Sequence, residues 1–99
     1  MMTATFQGQL IARAEQTIYL EGNHYFPPNA VEPPVLTKSW LRTLCVWKGI
    51  ARYRHVSAGG FRASNAAWSY PLPTPLAWQL KGHIAFDPAS GVVIGEEGH

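Results

Sequence analysis

The sequence predicts a mainly β, antiparallel fold with one short helix. Eight prolines and nine glycines among 99 residues interrupt the chain too often for long helices. The runs between these breaks are β-prone, and some alternate in character as a half-buried strand does. Glycine pairs and polar pairs then separate the runs at positions suited to hairpins.

The first such pair of runs is Leu10 to Ala14 and Thr17 to Glu21, parted by Glu15-Gln16, and the spacing predicts a hairpin. From Phe26 to Pro34, four prolines in nine positions exclude a central strand or helix interior. A stiff, ordered loop across one end of a sheet is expected there. Trp40 to Val46 is the next β-prone run, ended by Trp47-Lys48-Gly49, where Gly49 can take positive φ. In Ile50 to Val56 the alternation puts Ala51, Tyr53 and His55 on one face. Ile50, Arg52, Arg54 and Val56 take the other, which the arginines assign to solvent. Ser57-Ala58-Gly59-Gly60 predicts a tight turn into a strand over Phe61 to Trp68.

Beyond the proline-rich connector Ser69 to Pro75, Thr74-Pro75 has the order of a helix N-cap and first residue. Helical spacing continues to Lys81 and stops at Gly82, so one helix is expected over residues 75–81. His83 to Phe86 and Gly91 to Ile94 read as a closing strand pair around the turn Asp87-Pro88-Ala89-Ser90. The tail from residue 95 to 99 is expected to fray.

Length allows one domain over residues 1–99, with a core at about 11–94, on the prior of ~100–200 residues per domain. With 46% hydrophobic, 14% charged and 12% aromatic residues, the chain is outside the disordered class. The formal charge is +2, and Lys and Arg form no run of like sign, so no nucleic-acid partner is expected. No apolar stretch nears the ~20 residues of a membrane helix, and the first residues lack a signal peptide's features. Neither a membrane nor secretion is expected. A single cysteine, Cys45, excludes an intramolecular disulfide and favours a reducing cytoplasm.

Cys45 reads either as a nucleophile activated by Lys48 or a histidine, or as a small buried thiol. His24, His55, His83 and Cys45 match no metal-ligand spacing, so neither metal nor cofactor is expected. Lys48-Gly49 lacks the spaced glycines and the Lys-Ser/Thr of a phosphate loop, and only Asp87 and scattered glutamates could hold magnesium. The aromatic residues carry more information. Of Tyr25, Phe26, Trp40, Trp47, Tyr53, Trp68, Tyr70 and Trp78, several flank prolines or glycines at strand ends, where they either line a pocket mouth or fill the core.

Four blocks then resemble a known bacterial family: Asn23 to Pro28, Cys45 to Tyr53, Ala66 to Pro73, and Ile84 to Phe86. Their order and spacing are similar to those of domain of unknown function 427, also labelled nucleotidyltransferase-like, over about Ile11 to Val93. The resemblance implies a β-tent-like fold of two short antiparallel sheets without the zinc cysteines of its relatives. It maps the motif positions onto Tyr25, Phe26, Pro27, Cys45, Lys48, Gly49, Tyr53, Trp68 and Tyr70, and departs at Val46 and through Val31 to Trp40.

Three functional expectations follow from the residues and the resemblance. The first is a site for a small planar or cationic ligand, nucleotide-related on the family's label, made by Tyr25, Phe26, Trp47, Lys48, Tyr53, Trp68 and Tyr70. The second is an enzyme using Cys45 or Lys48 with His24 as partner. The third is an interaction module, with self-association as its commonest form.

Overall fold

Three two-residue turns, each with both residues at positive φ, set out the hairpins. They are Gln7-Gly8 (52° and 78°), Glu21-Gly22 (52° and 83°) and Gly59-Gly60 (59° and 82°). This geometry matches the twist of antiparallel strands. The computed structural model describes residues 1–97. Its strands are β1 (Met2–Phe6), β2 (Gln9–Ala14), β3 (Ile18–Leu20), β4 (Asn23–Tyr25), β5 (Leu36–Cys45), β6 (Gly49–Ala58), β7 (Phe61–Ser69), β8 (Ile84–Phe86) and β9 (Val92–Glu96). They form three antiparallel sheets, in the orders β2-β1-β9, β3-β4 and β5-β6-β7-β8.

The mainly β, antiparallel class expected from the sequence is therefore found, with an extra two-stranded hairpin. Several local expectations are corrected. Leu10 to Ala14 does not pair with Thr17 to Glu21, because each of these runs meets a partner across a nearer glycine turn. The last two strands do not pair with each other either: β8 joins β7 and β9 joins β1. Phe86 and Val92 are buried in one core, which strands from two facing sheets can place between them. Asp87 accepts a hydrogen bond from the Ala89 amide at 2.9 Å, and Gly91 at φ 101° completes the crossing.

The segment 75–81 is a kinked 3-10 helix, Pro75–Leu80, with non-helical backbone at Ala77. Thr74 does not cap it; its hydroxyl donates to the Trp47 carbonyl instead. The proline-rich loop carries two 3-10 turns, Pro28–Ala30 and Pro33–Val35. Residues 95–97 are held, since β9 runs to Glu96 and the Glu97 amide donates to Met1 O at 2.7 Å. The rest of the expected frayed tail lies outside the described residues.

Register assigns the faces of the four-stranded sheet. Tyr53, Trp68 and Ala85 are in line across β6, β7 and β8, and Arg54, Ala67 and Phe86 form the next line. Adjacent lines point to opposite faces. The second face packs Ala67, Phe86, Val56 and Ile84 with Phe6, Ile11, Phe26 and Val92. The first packs Ala51 and Ala85 with Tyr25, Tyr70, Ala77 and Leu80. The alternation expected in β6 thus holds, with one addition. Val56 shares the arginine face yet is fully buried, because that end of the strand lies in the core with Val35, Phe6, Ile11 and Val92.

Candidate functional site

The first face gathers most of the residues singled out in the sequence. Tyr25 ends β4, Tyr53 and Trp68 are cross-strand partners on β6 and β7, and Tyr70 follows β7. The rings of Tyr25 and Trp68 meet edge to face at 6.4 Å and 85°, and the indole N–H donates to the Tyr25 hydroxyl at 3.2 Å. Tyr25 and Tyr70 are 6.4 Å apart, and Tyr53 and Trp68 are 6.2 Å apart with a 39° tilt. Tyr25 and Tyr70 are buried beneath, while Tyr53 and Trp68 are half-buried above them.

Lys48 and Trp47 reach this cluster from the β5–β6 loop. Gly49 makes the approach possible: its φ is 114°, and an added Cβ would stand 3.2 Å from Leu72 O and 3.4 Å from Pro73 Cα. The Thr74 amide donates to Lys48 O at 3.0 Å, which fixes the loop from the other side. The Lys48 ammonium donates to the carboxylate of Glu21, from the β3–β4 turn. It also stands 5.4 Å from the Trp47 ring centroid and 5.6 Å from that of Tyr70, within cation–π range. The Lys48 side chain is 9% exposed and that of Glu21 48%.

This pairing shapes the titration of the site. Burial works against the Lys48 charge, but the Glu21 hydrogen bond and the electrostatic influence of the neighbouring Tyr25, Tyr70 and Cys45 outweigh it, so the pKa is raised above its ordinary 10.5. Lys48 is an ammonium at neutral pH and does not offer a lone pair. The same hydrogen bond holds the Glu21 carboxyl below its ordinary 4.5. Burial pushes the Tyr70 phenol up to about 12, with Tyr25 adding to the shift and Lys48 opposing it.

Two expected members are elsewhere. Phe26 is buried in the core on the opposite face, 5.8 Å from Phe86. His24 pairs with Tyr19 on the outer side of the β3–β4 hairpin, and its Nδ1 lies 2.7 Å from the Thr17 hydroxyl. Cys45 is half-buried beside the cluster. Glu21 was missed by sequence reasoning, because only the turn Glu21-Gly22 brings it back over Lys48. Also missed was the meeting of Lys38, Arg42, Arg52 and Arg54 around one recess on β5 and β6. Their even spacing on two strands joined at Gly49 is the signal that could have found it. Among the described residues no three His, Cys, Asp or Glu side chains converge, and no helix is long and apolar enough to cross a membrane.

Fold and site together define a small antiparallel β domain whose central sheet carries an aromatic cluster with a built-in ion pair. A family model described as a domain of unknown function (DUF427) matches residues 1–96, and the chain belongs to that family. The match extends the resemblance through β1 and β9. No curated protein matches the chain.

Proposed function

We propose that this chain binds a small planar ligand, of the size and flatness of a nucleobase, against Tyr53 and Trp68. The observation that carries this reading is the state of Trp68. Its indole N–H is taken by Tyr25, so what this half-buried ring has left for a ligand is its apolar π-surface, beside the tilted ring of Tyr53. Thr43 and the Tyr53 hydroxyl, 3.2 Å apart, provide polar groups at the rim. Lys48 already supplies the cation for Trp47, Tyr70 and Glu21, which favours a planar over a cationic ligand. Its protonated state disfavours Lys48 as a nucleophile. The lone thiol suits a reducing compartment, and we extend the reading to the cytoplasm.

A thermal-shift series with nucleobases, nucleosides and tetramethylammonium tests this proposal. A planar ligand at 100 times its Kd stabilises by about 2.7 kcal/mol, a rise of several degrees in a domain this small. The rise is expected with nucleosides, absent with tetramethylammonium, and lost in Tyr53→Leu, which keeps apolar bulk. Trp68→Leu is the companion variant, and Tyr53→Leu decides alone if that one unfolds. No shift with any flat ligand, or a shift kept in Tyr53→Leu, would overturn the reading.

A further inference from the structure

The opposite face of β5 and β6 carries a second surface, whose four cations take no part in the aromatic site. Lys38 stands across from Arg54, and Arg42 across from Arg52. Paired residues share a face, as do Arg52 and Arg54 two apart, so all four cations project from one side. The bulge between Lys38 and Arg42 adds two residues and preserves that parity. Half of the eight Lys and Arg residues of the chain thus meet in two adjacent rungs.

Like charges directly opposite one another destabilise a strand pair. No carboxylate relieves them: among the described residues the ion pairs are Arg13 with Glu97 and Lys48 with Glu21. Cations on an edge strand can serve merely to block pairing with another chain. That role would explain Lys38 and Arg42 on the edge strand β5. It does not explain Arg52 and Arg54, because β6 is flanked by β5 and β7.

Lys38, Ser39, Arg42, Arg52, Tyr53 and Arg54 line a recess of about 130 Å³. Arg42 Nη1 donates to the carbonyls of Ser39 and Leu41, both at 3.1 Å, which ties its guanidinium to the bulge. Arg42 and Arg52 also border a neighbouring recess of about 410 Å³ formed with Gly49, Ile50, Pro71 and Leu72. The next rung on the same face is Leu44 opposite Ile50, 75% and 54% exposed. Along one face, an apolar rung is followed by two cationic ones.

We propose that this face binds a phosphomonoester with an apolar carbon body. The phosphoryl group would lie among Lys38, Arg42, Arg52 and Arg54, and the carbon body over Leu44, Ile50 and Leu72. A dianion with three terminal oxygens matches several separated cationic donors, whereas a carboxylate engages a single guanidinium fork.

Isothermal titration of the whole chain with hexyl phosphate, inorganic phosphate, hexanoate and hexanol tests the assignment. Hexyl phosphate is expected to bind at least about tenfold more tightly than each of the others, and more weakly as salt is added. Arg52→Gln is expected to lower that affinity about tenfold while its Tm stays level or rises, since a like-charged rung is relieved. Arg54→Gln serves the same purpose should Arg52→Gln fail to fold. A purely structural role for Arg52 would lower Tm instead. Equal binding of hexanol, unchanged affinity in the folded variant, or tighter binding of a single-stranded oligothymidine than of hexyl phosphate would overturn the proposal.

Discussion

The two cores separated by the four-stranded sheet are built from different materials. On one side Phe26, Phe86, Ile11 and Val56 pack with a set of alanines, and no buried member carries a polar side-chain atom. On the other, Tyr25, Tyr70 and the Lys48–Glu21 pair bring hydroxyls and charges beside Leu80 and Ala85. The first core is held by apolar burial and close packing, which are indifferent to pH. The second must satisfy each polar group it buries and is therefore tied to protonation. Tyr53 and Trp68 stand half-buried over the second core, so the sheet combines a side sealed by apolar packing with a side whose packing is partly polar and partly open to solvent.

The largest effect is expected in the sealed core. Phe86→Ala removes a buried ring that faces Phe26 and should cost about 3–5 kcal/mol. Against roughly 5–15 kcal/mol for a whole domain, this leaves little folded protein in mild urea. A loss below about 1 kcal/mol would remove the distinction between the two cores. On the polar side, Tyr25→Phe keeps the ring and deletes only the acceptor of the Trp68 N–H. About 1 kcal/mol is expected, read as a lower urea midpoint together with a changed Trp fluorescence spectrum.

Titration should separate the cores without any substitution. Glu21 has a depressed pKa in the folded state, so its contribution is present above its ordinary value of 4.5 and is lost as pH falls through the lower folded value. Tyr70 has a raised pKa, so its contribution is full below 10.0 and is lost as pH rises towards about 12. Lys48, also raised, loses its contribution in the same direction above 10.5. Urea midpoints measured across pH should fall at both ends. Glu21→Gln should flatten the acid limb, and Tyr70→Phe should reduce the alkaline one. Limbs unchanged in both variants would place the titrating groups outside the polar core.

What the sequence disclosed follows the range of each signal. Gly59-Gly60 and the turn at Gly49 were legible because a glycine's backbone freedom acts on its own residues. The face assignment of Ala51 and Tyr53 was legible because alternation is also local. Strand pairing was not: β2 has a plausible neighbour in β3, and only the turns at Gln7-Gly8 and Glu21-Gly22 redirect each to another partner. Gln and Glu are weaker turn signals than Asn or Asp. The aromatic cluster was anticipated from its place beside connectors, while Phe26 went to the other core because adjacent residues of an extended chain point oppositely. The even spacing of Lys38, Arg42, Arg52 and Arg54 hints at a shared face, but their pairing into two rungs depends on a register through a bulge, which that spacing does not specify.

The smallest effect sharpens the comparison through a second ion pair. Arg13 and Glu97 meet at 2.7 Å, with side chains 50% and 45% exposed, beside the sealed core. Solvent and salt screen such a pair, so Glu97→Gln should cost about 0–1 kcal/mol, at most a few degrees in Tm. Added salt should erase even that difference. Glu21→Gln removes a charge of the same kind but leaves the Lys48 ammonium among Tyr70, Tyr25 and Cys45 with its carboxylate gone, and the change in Tm should exceed that of Glu97→Gln and survive in salt. Equal, salt-sensitive effects at the two positions would mean that solvent reaches Lys48 as freely as Arg13, and that the polar core is no more than a surface.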